Sequence, residues 1–197
     1  VNIPNPLALA PMEAVGCKAF RMLCKEMGAG LIYTPMIDTG RFLKKFSEDP
    51  KKAIDFFLDI DSIEHPIAVQ LAGNNPDLLK KAGVIIQEHA DIIDINLGCI
   101  EGDVLGKKMG AYLLKHPEQI KKLISPMISS VNVPVTAKIR TGWDELNALQ
   151  VVYILENIGV KAIAIHGRTR IQRYTGSSNW QIIKQVKIQS KVPIIGN

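Results

Sequence analysis

The chain has 197 residues, 47% hydrophobic and 22% charged, with 24 basic against 19 acidic side chains and a net charge of +5. That is the composition of an ordinary soluble protein, long enough for one well-buried domain or most of a larger one. No apolar run approaches the length of a membrane span, and no signal-peptide pattern precedes the first apolar segment. The three cysteines, Cys17, Cys24 and Cys99, lack metal-ligand spacing and leave an odd count. They suit a reducing, cytoplasmic setting better than a disulfide framework. The positive charge permits an anionic partner without requiring one.

Leu7-Ala8-Leu9-Ala10 reads as a short strand ended by Pro11. A helical pattern follows from Cys17, with Phe20, Leu23, Cys24 and Met27 at three- and four-residue spacing and Gly28 and Gly30 closing it. Leu31 to Thr34 is a second strand closed by a proline; Asp38 to Asp49 is helical in part, and Asp55 to Glu64 has no clear period. Ile67 to Leu71 is a third strand. Asn75-Pro76 then starts a helix as N-cap and first-turn proline, with an apolar stripe of Leu78, Leu79, Ala82, Ile85, Ile86 and His89. Ile92, Ile93 and Ile95 form a buried strand that leaves through Leu97-Gly98-Cys99 into a loop with Gly102 and Gly106. Ala111 to Ser130 is helical, Val135 to Ile139 a strand, and Asp144 to Ile158 a helix. Lys161 to His166, Trp180 to Ile188 and Val192 to Gly196 complete the alternation as strand, helix and strand.

Strand and helix alternate without a linker or a break in composition, the mark of consecutive βαβ units around a parallel sheet. Seven strands fit a (β/α)8 barrel cut short after strand seven, because the full barrel needs about 250 residues. An open dinucleotide-binding sheet is the weaker reading, since no Gly-x-Gly-x-x-Gly follows the first strand. In a barrel, catalytic residues gather at strand C-terminal ends. Those ends carry Pro11-Met12-Glu13, Thr34, Gln70, Asn96 with Cys99, Lys138 with Arg140, and His166. Singly, each has a structural explanation: Cys99 as a small hydrophobe, Lys138 reaching solvent, His166 as a satisfied core histidine. Their coincidence at one end favours a site.

These strand ends resemble the motifs of the dihydrouridine synthase family. The resemblance covers Ala10-Pro11-Met12-Glu13-Ala14-Val15 with Phe20-Arg21, Gln70-Leu71-Ala72-Gly73 with Pro76, and Asp94-Ile95-Asn96-Leu97-Gly98-Cys99 with Val104 and Gly110. It continues through Thr136-Ala137-Lys138-Ile139-Arg140 with Gly142-Trp143, and Ile165-His166-Gly167-Arg168-Thr169-Arg170 with Tyr174, Gly176 and Trp180, to Pro193-Ile194-Ile195-Gly196-Asn197. Residues 1–197 would then be an incomplete FMN-binding TIM-barrel catalytic domain. The family's eighth strand, with its Gly-Arg phosphate grip, and its C-terminal helical RNA-binding domain are not among them.

The resemblance implies FMN as cofactor, NADPH or NADH as electron donor, and transfer RNA as substrate, with no metal and no membrane. Pro11, Met12 and Glu13 would line the isoalloxazine, Gln70 would hydrogen-bond it, and Lys138 would sit at its N1/O2 edge, where a cation matches the charge of the reduced ring. His166 and Asn197 would contact the cofactor toward its phosphate. Hydride would pass from flavin N5 to uracil C6, and Cys99, protonated, would deliver the proton to C5 as general acid. Asn96 would bind the uracil edge, with Arg140 and Arg168 at the substrate.

Two residues depart from the family pattern: Ile100 stands where proline is usual after the cysteine, and Asp103 where a basic residue is usual. Losing that proline predicts a less rigid Cys99 loop. A base extruded from folded RNA also requires a basic rim for phosphates, expected from loops carrying Arg41, Lys44 and Lys45, then Lys107 and Lys108, then Arg168, Arg170 and Arg173. The competing readings are another FMN barrel oxidoreductase acting on a small molecule, such as a dihydroorotate-dehydrogenase-like enzyme, and a non-catalytic RNA-binding barrel.

Overall fold

A computed structural model describes residues 1–197. Helix α1 (Lys18–Glu26) leads to β1 (Ile32–Tyr33), β2 (Ile37–Asp38), α2 (Thr39–Glu48) and α3 (Pro50–Phe57). A 3-10 turn at Ser62–Glu64 then enters β3 (Ile67–Ala72), α4 (Pro76–Ile86) and β4 (Ile92–Leu97). Two short segments, α5 (Gly102–Gly106) and α6 (Tyr112–Lys115), and the longer α7 (Pro117–Ile128) precede β5 (Val135–Arg140). Last come α8 (Ala148–Asn157), β6 (Ile163–His166), α9 (Trp180–Gln189) and β7 (Ile194–Gly196). No helix is long and apolar enough to cross a membrane.

All strand pairs are parallel, in the order β1-β3-β4-β5-β6-β7, with β2 also pairing β3. The spatial order follows the chain, so each crossover reaches the adjacent strand. A doubly wound sheet would reverse direction part-way. The sheet curls through ~220°, a half-barrel, and the fold is α/β of the (β/α)8 type, open on one side.

Side chains alternate across this sheet. Ile93, Ile95, Leu97, Val135, Ala137, Ile139, Ile163 and Ile165 point outward and join α4, α7, α8 and α9 in a single cluster of 33 buried residues. Helix α4 starts as its sequence dictates: Asn75 Oδ1 accepts from the N–H groups of Asp77 and Leu78, with Pro76 next. The inner face differs. Its floor is a small apolar cluster of Leu31, Tyr33, Ala68 and Ile92, and above it stand Gln70, Asp94, Asn96, Thr136 and Arg140, all buried.

Several expected elements take another form. Leu7 to Ala10 makes only one bridge, Ala8 to Leu31, and stays largely exposed because nothing pairs with its other side. The strand expected to stop at Thr34 resumes as β2 along the same neighbour. Pro35, lacking an N–H, interrupts the ladder, and Thr34 Oγ1 accepts from Gln70 N in the gap. The helical stretch from Ala111 divides at His116-Pro117, and His89 lies beyond the end of α4, exposed.

Helix α1 departs most. Its supposed apolar stripe leaves Leu23 and Met27 exposed, and its buried residue is Arg21. Arg21 Nε donates to Glu64 Oε2 at 2.6 Å, and its other nitrogens reach the carbonyls of Gly16, Leu58 and Asp59. Glu64, fully buried, also accepts from Asp61 N. Gly16 in turn donates to the Met12 carbonyl, so this ion pair anchors the segment that follows Pro11. Arg21→Met strands a buried carboxylate and should lower the free energy of urea unfolding by about 3–5 kcal/mol. Adding Glu64→Leu should recover part of that loss, because no unpaired charge then remains.

Candidate active site

The C-terminal ends of the strands open into a cavity of about 550 Å³. Cys99, Asn96, Gln70, Lys138, Arg140 and His166 line it, and Pro11, Met12 and Glu13 form one side. Met36, Glu101 and Tyr174 line it as well, three residues to which sequence reasoning gave no role. Asn197 and Arg168 do not line it but touch residues that do. Asn197 Oδ1 accepts from Lys138 Nζ at 2.9 Å, and Arg168 meets His166.

The loop carrying Cys99 is held from three directions. Asn96 Oδ1 accepts from the N–H groups of Gly98 (3.1 Å) and Cys99 (2.8 Å), closing a tight turn. Arg140 Nε donates to the Gly98 carbonyl, and Ala111 N donates to the Cys99 carbonyl. Gly110 makes that last approach possible: its φ is +61°, and a Cβ there would lie 2.7 Å from the Cys99 oxygen. Ile100, at the position where proline is usual, is itself buried in the core. Hydrogen bonds from Asn96, Arg140 and Ala111 and the packing of Ile100 are the restraints on this loop in place of a pyrrolidine ring.

Charge is distributed so that the proton-bearing groups stay neutral. Burial pushes the Cys99 thiol above its ordinary pKa, and the charges of Glu101 and Glu13 add to the push. Burial lowers His166 to about 4, with Arg140, Lys138 and Arg168 helping. Arg168 Nη1 lies 3.1 Å from His166 Nε2; a guanidinium only donates, so Nε2 accepts and the ring proton is on Nδ1. Burial also lowers Lys138 to about 8 and raises Asp94 to about 6. Arg140 is committed to structure, joining the Gly98 carbonyl to those of Thr169 and Arg173 and lying over the Tyr174 ring.

The expected basic groups follow β2, β4 and β6 in the chain, but Lys45 lies in the last turn of α2, the helix that leads away from the C-terminal end of β2. Arg41, Lys44 and Lys45 lie on α2 rather than in a loop, because Asp38 caps that helix with Oδ1. Lys45 stacks on Phe56, Arg170 on Trp143, and Lys107 pairs with Asp38 at 2.7 Å. No group of His, Cys, Asp and Glu side chains is arranged to hold a metal ion.

A model of the family described as "Dihydrouridine synthase (Dus)" matches residues 8–197, nearly the whole chain. The chain belongs to the dihydrouridine synthase family. It is 38% identical over 200 residues to tRNA-dihydrouridine synthase B of Xanthomonas axonopodis pv. citri, and 39% identical over 199 residues to the protein of that name from Pasteurella multocida. Each alignment covers 100% of this chain and 58% of the relative. A probable tRNA-dihydrouridine synthase of Rhodobacter capsulatus is 38% identical over 201 residues, 60% of its length. The chain thus spans about three fifths of these dihydrouridine synthases.

The neutral state of His166 has a measurable consequence. An unfolded histidine takes its proton near 6.5 and this one near 4, so its share of stability is present above pH 6.5 and lost on acidification toward 4. Asp94, raised, acts in the opposite direction, but equally so in a His166 variant. Between pH 7 and pH 5 the urea midpoint should therefore fall more in the wild type than in His166→Gln.

Proposed function

We propose that this chain forms the flavin-binding, catalytic part of an enzyme that reduces uridine in transfer RNA to 5,6-dihydrouridine. One observation carries the reading: a thiol kept protonated by burial, held on a braced loop at the wall of a cavity that also presents a lysine ammonium. A protease-type cysteine needs the opposite, a thiolate beside a histidine base. The relatives' names support the substrate class.

The residues present fit FMN. Pro11, Met12 and Met36 offer apolar surface to a flat ring, and Lys138, whose one protein acceptor is Asn197, has donors left for a carbonyl edge. Pro11, Met12, Glu13, Gln70 and Lys138 would hold the ring, with His166 and Asn197 toward the phosphate. Bound FMN would supply hydride transfer from NADPH or NADH to the uracil ring. Cys99 donates the proton that completes saturation of the C5–C6 bond, and the thiolate left behind regains a proton from solvent. Arg140 stabilises that thiolate, its charge being among those that favour the ionised form. Asn96 keeps the thiol at the cavity wall and retains one N–H for the uracil edge, and Arg168 serves the substrate side.

The test uses the protein at its full natural length. Cys99→Ala should bind FMN and be bleached by NADPH as the wild type is, while dihydrouridine formation in transfer RNA falls by about 10²–10⁴-fold. Lys138→Met should retain less flavin. Full activity in Cys99→Ala would remove the thiol from the chemistry, and activity on free pyrimidines alone would point to a small-molecule reductase. In the wild type, product formation should hold at neutral pH and fall on the alkaline side, first as Lys138 loses its charge near 8 and then as the raised thiol loses its proton.

A further inference from the structure

Asp94 lies beneath the cavity, fully buried, and does not line it. Its Oδ2 accepts from Gln70 Nε2 at 2.8 Å and its Oδ1 from Thr136 Oγ1 at 2.6 Å. Both partners stand in register with it, Gln70 on β3 and Thr136 on β5. Gln70 Oε1 then accepts from Asn96 Nδ2 at 2.8 Å, and Asn96 Oδ1 accepts from the Gly98 and Cys99 N–H groups. An unbroken chain of hydrogen bonds therefore runs from the carboxylate to the backbone of the cysteine.

We propose that Asp94 is a positioning residue that fixes the Cys99 loop by setting the direction of this chain. The reason is donor–acceptor polarity. Gln70 and Asn96 are each symmetric in shape, with an oxygen at one end of the amide and a nitrogen at the other. Either could turn over without a steric penalty. A carboxylate only accepts, so it draws Gln70 Nε2 toward itself. That leaves Oε1 for Asn96, which must answer with Nδ2, and so Asn96 Oδ1 faces the loop. Reversed, Asn96 would point N–H groups at the N–H groups of Gly98 and Cys99, and the turn would open. Of the remaining titratable groups facing Asp94, Lys138 from β5 interacts with it through charge, and Tyr33 from β1 through charge and through a hydrogen bond with Thr136; neither enters the run from Asp94 through Gln70 to Asn96. A buried carboxylate is expensive; a role in orienting two amides accounts for its presence. The inference rests on the reading of Cys99 as proton donor for its purpose, but not for its geometry.

The experiment follows the amides of Gly98 and Cys99 by hydrogen exchange at pH 7 in the FMN-loaded, full-length protein. Asp94→Asn has the same shape, and Thr136 can donate or accept, so either amide direction is satisfied and the lock is lost. Protection of the two amides should fall at least about tenfold, the factor for roughly 1.4 kcal/mol of local opening, while β5 and β6 keep theirs. Asn96→Asp alone should also fail, because Gln70 would face a carboxylate at each end. The exchanged pair Asp94→Asn with Asn96→Asp reverses the two bonds made by Gln70 and keeps the direction of the others, losing none. The amide introduced at position 94 donates to Gln70 Oε1, and Gln70 Nε2 and the loop N–H groups donate to the carboxylate introduced at position 96. Its protection should return toward wild type. Unchanged protection in Asp94→Asn would overturn the proposal, as would uniform loss across β5 and β6, which would mark Asp94 as mere support for the fold. Activity in Cys99→Ala decides the separate question of the proton donor, so failure of one reading leaves the other identifiable.

Discussion

The constraint on which this structure depends is that β4 is buried on both faces and must satisfy a different chemistry on each. Outward, Ile93, Ile95 and Leu97 meet helices and require only apolar contact. Inward, Asp94 is enclosed by β3 and β5, where water cannot solvate it, and Asn96 stands beside it at the cavity wall. Buried polar groups persist only when paired, so Gln70, Thr136 and the backbone of the cysteine loop become parts of one network. Parallel sheets usually read as continuous apolar runs because both faces are covered by hydrocarbon. Here the inner face departs from that rule directly beneath the cavity, and the departure fixes the loop above it.

A second consequence is electrostatic. Lys138, Arg140 and Arg168 surround His166 and, with burial, keep its ring neutral. Burial keeps the proton on Cys99, outweighing a hydrogen bond from the Glu101 N–H that favours the thiolate. The cations belong mainly to β5 and the β6 exit and the acids to the segments around Pro11 and Cys99, so one cavity holds both charges. An environment that retains protons on weak acids while presenting an ammonium suits the delivery of a proton beside a group gaining negative charge. Arg140 shows how closely site and scaffold coincide, because the guanidinium that lines the cavity also joins the β4 and β6 exit loops.

Much was legible in the sequence because it follows from local rules. The alternation of strands and helices, the Asn75 cap of α4, and the gathering of Gln70, Asn96, Cys99, Lys138, Arg140 and His166 at one end of a parallel sheet all follow from periodicity and topology. The role of Asp94 was half legible. Period-two alternation places it on the face of Asn96, yet a strand carboxylate in isolation gives no sign of which amides it will meet. Helix α1 misled because an apolar spacing shows which residues share a face, not whether anything covers that face.

By itself, the sequence determined the order of elements, the parallel crossover pattern, the strand exits and the motif residues of the dihydrouridine synthase family, since these rest on contacts within a few residues or on fixed backbone geometry. Tertiary structure alone decided which polar groups became neutral, charged or locked. Burial of Cys99, Asp94 and Lys138, the Arg21–Glu64 pair across 43 positions and the polarity of the Asp94–Gln70–Asn96 chain all arise between distant segments. Desolvation and hydrogen-bond direction are properties of an enclosed space, and that space exists only once the strands stand side by side.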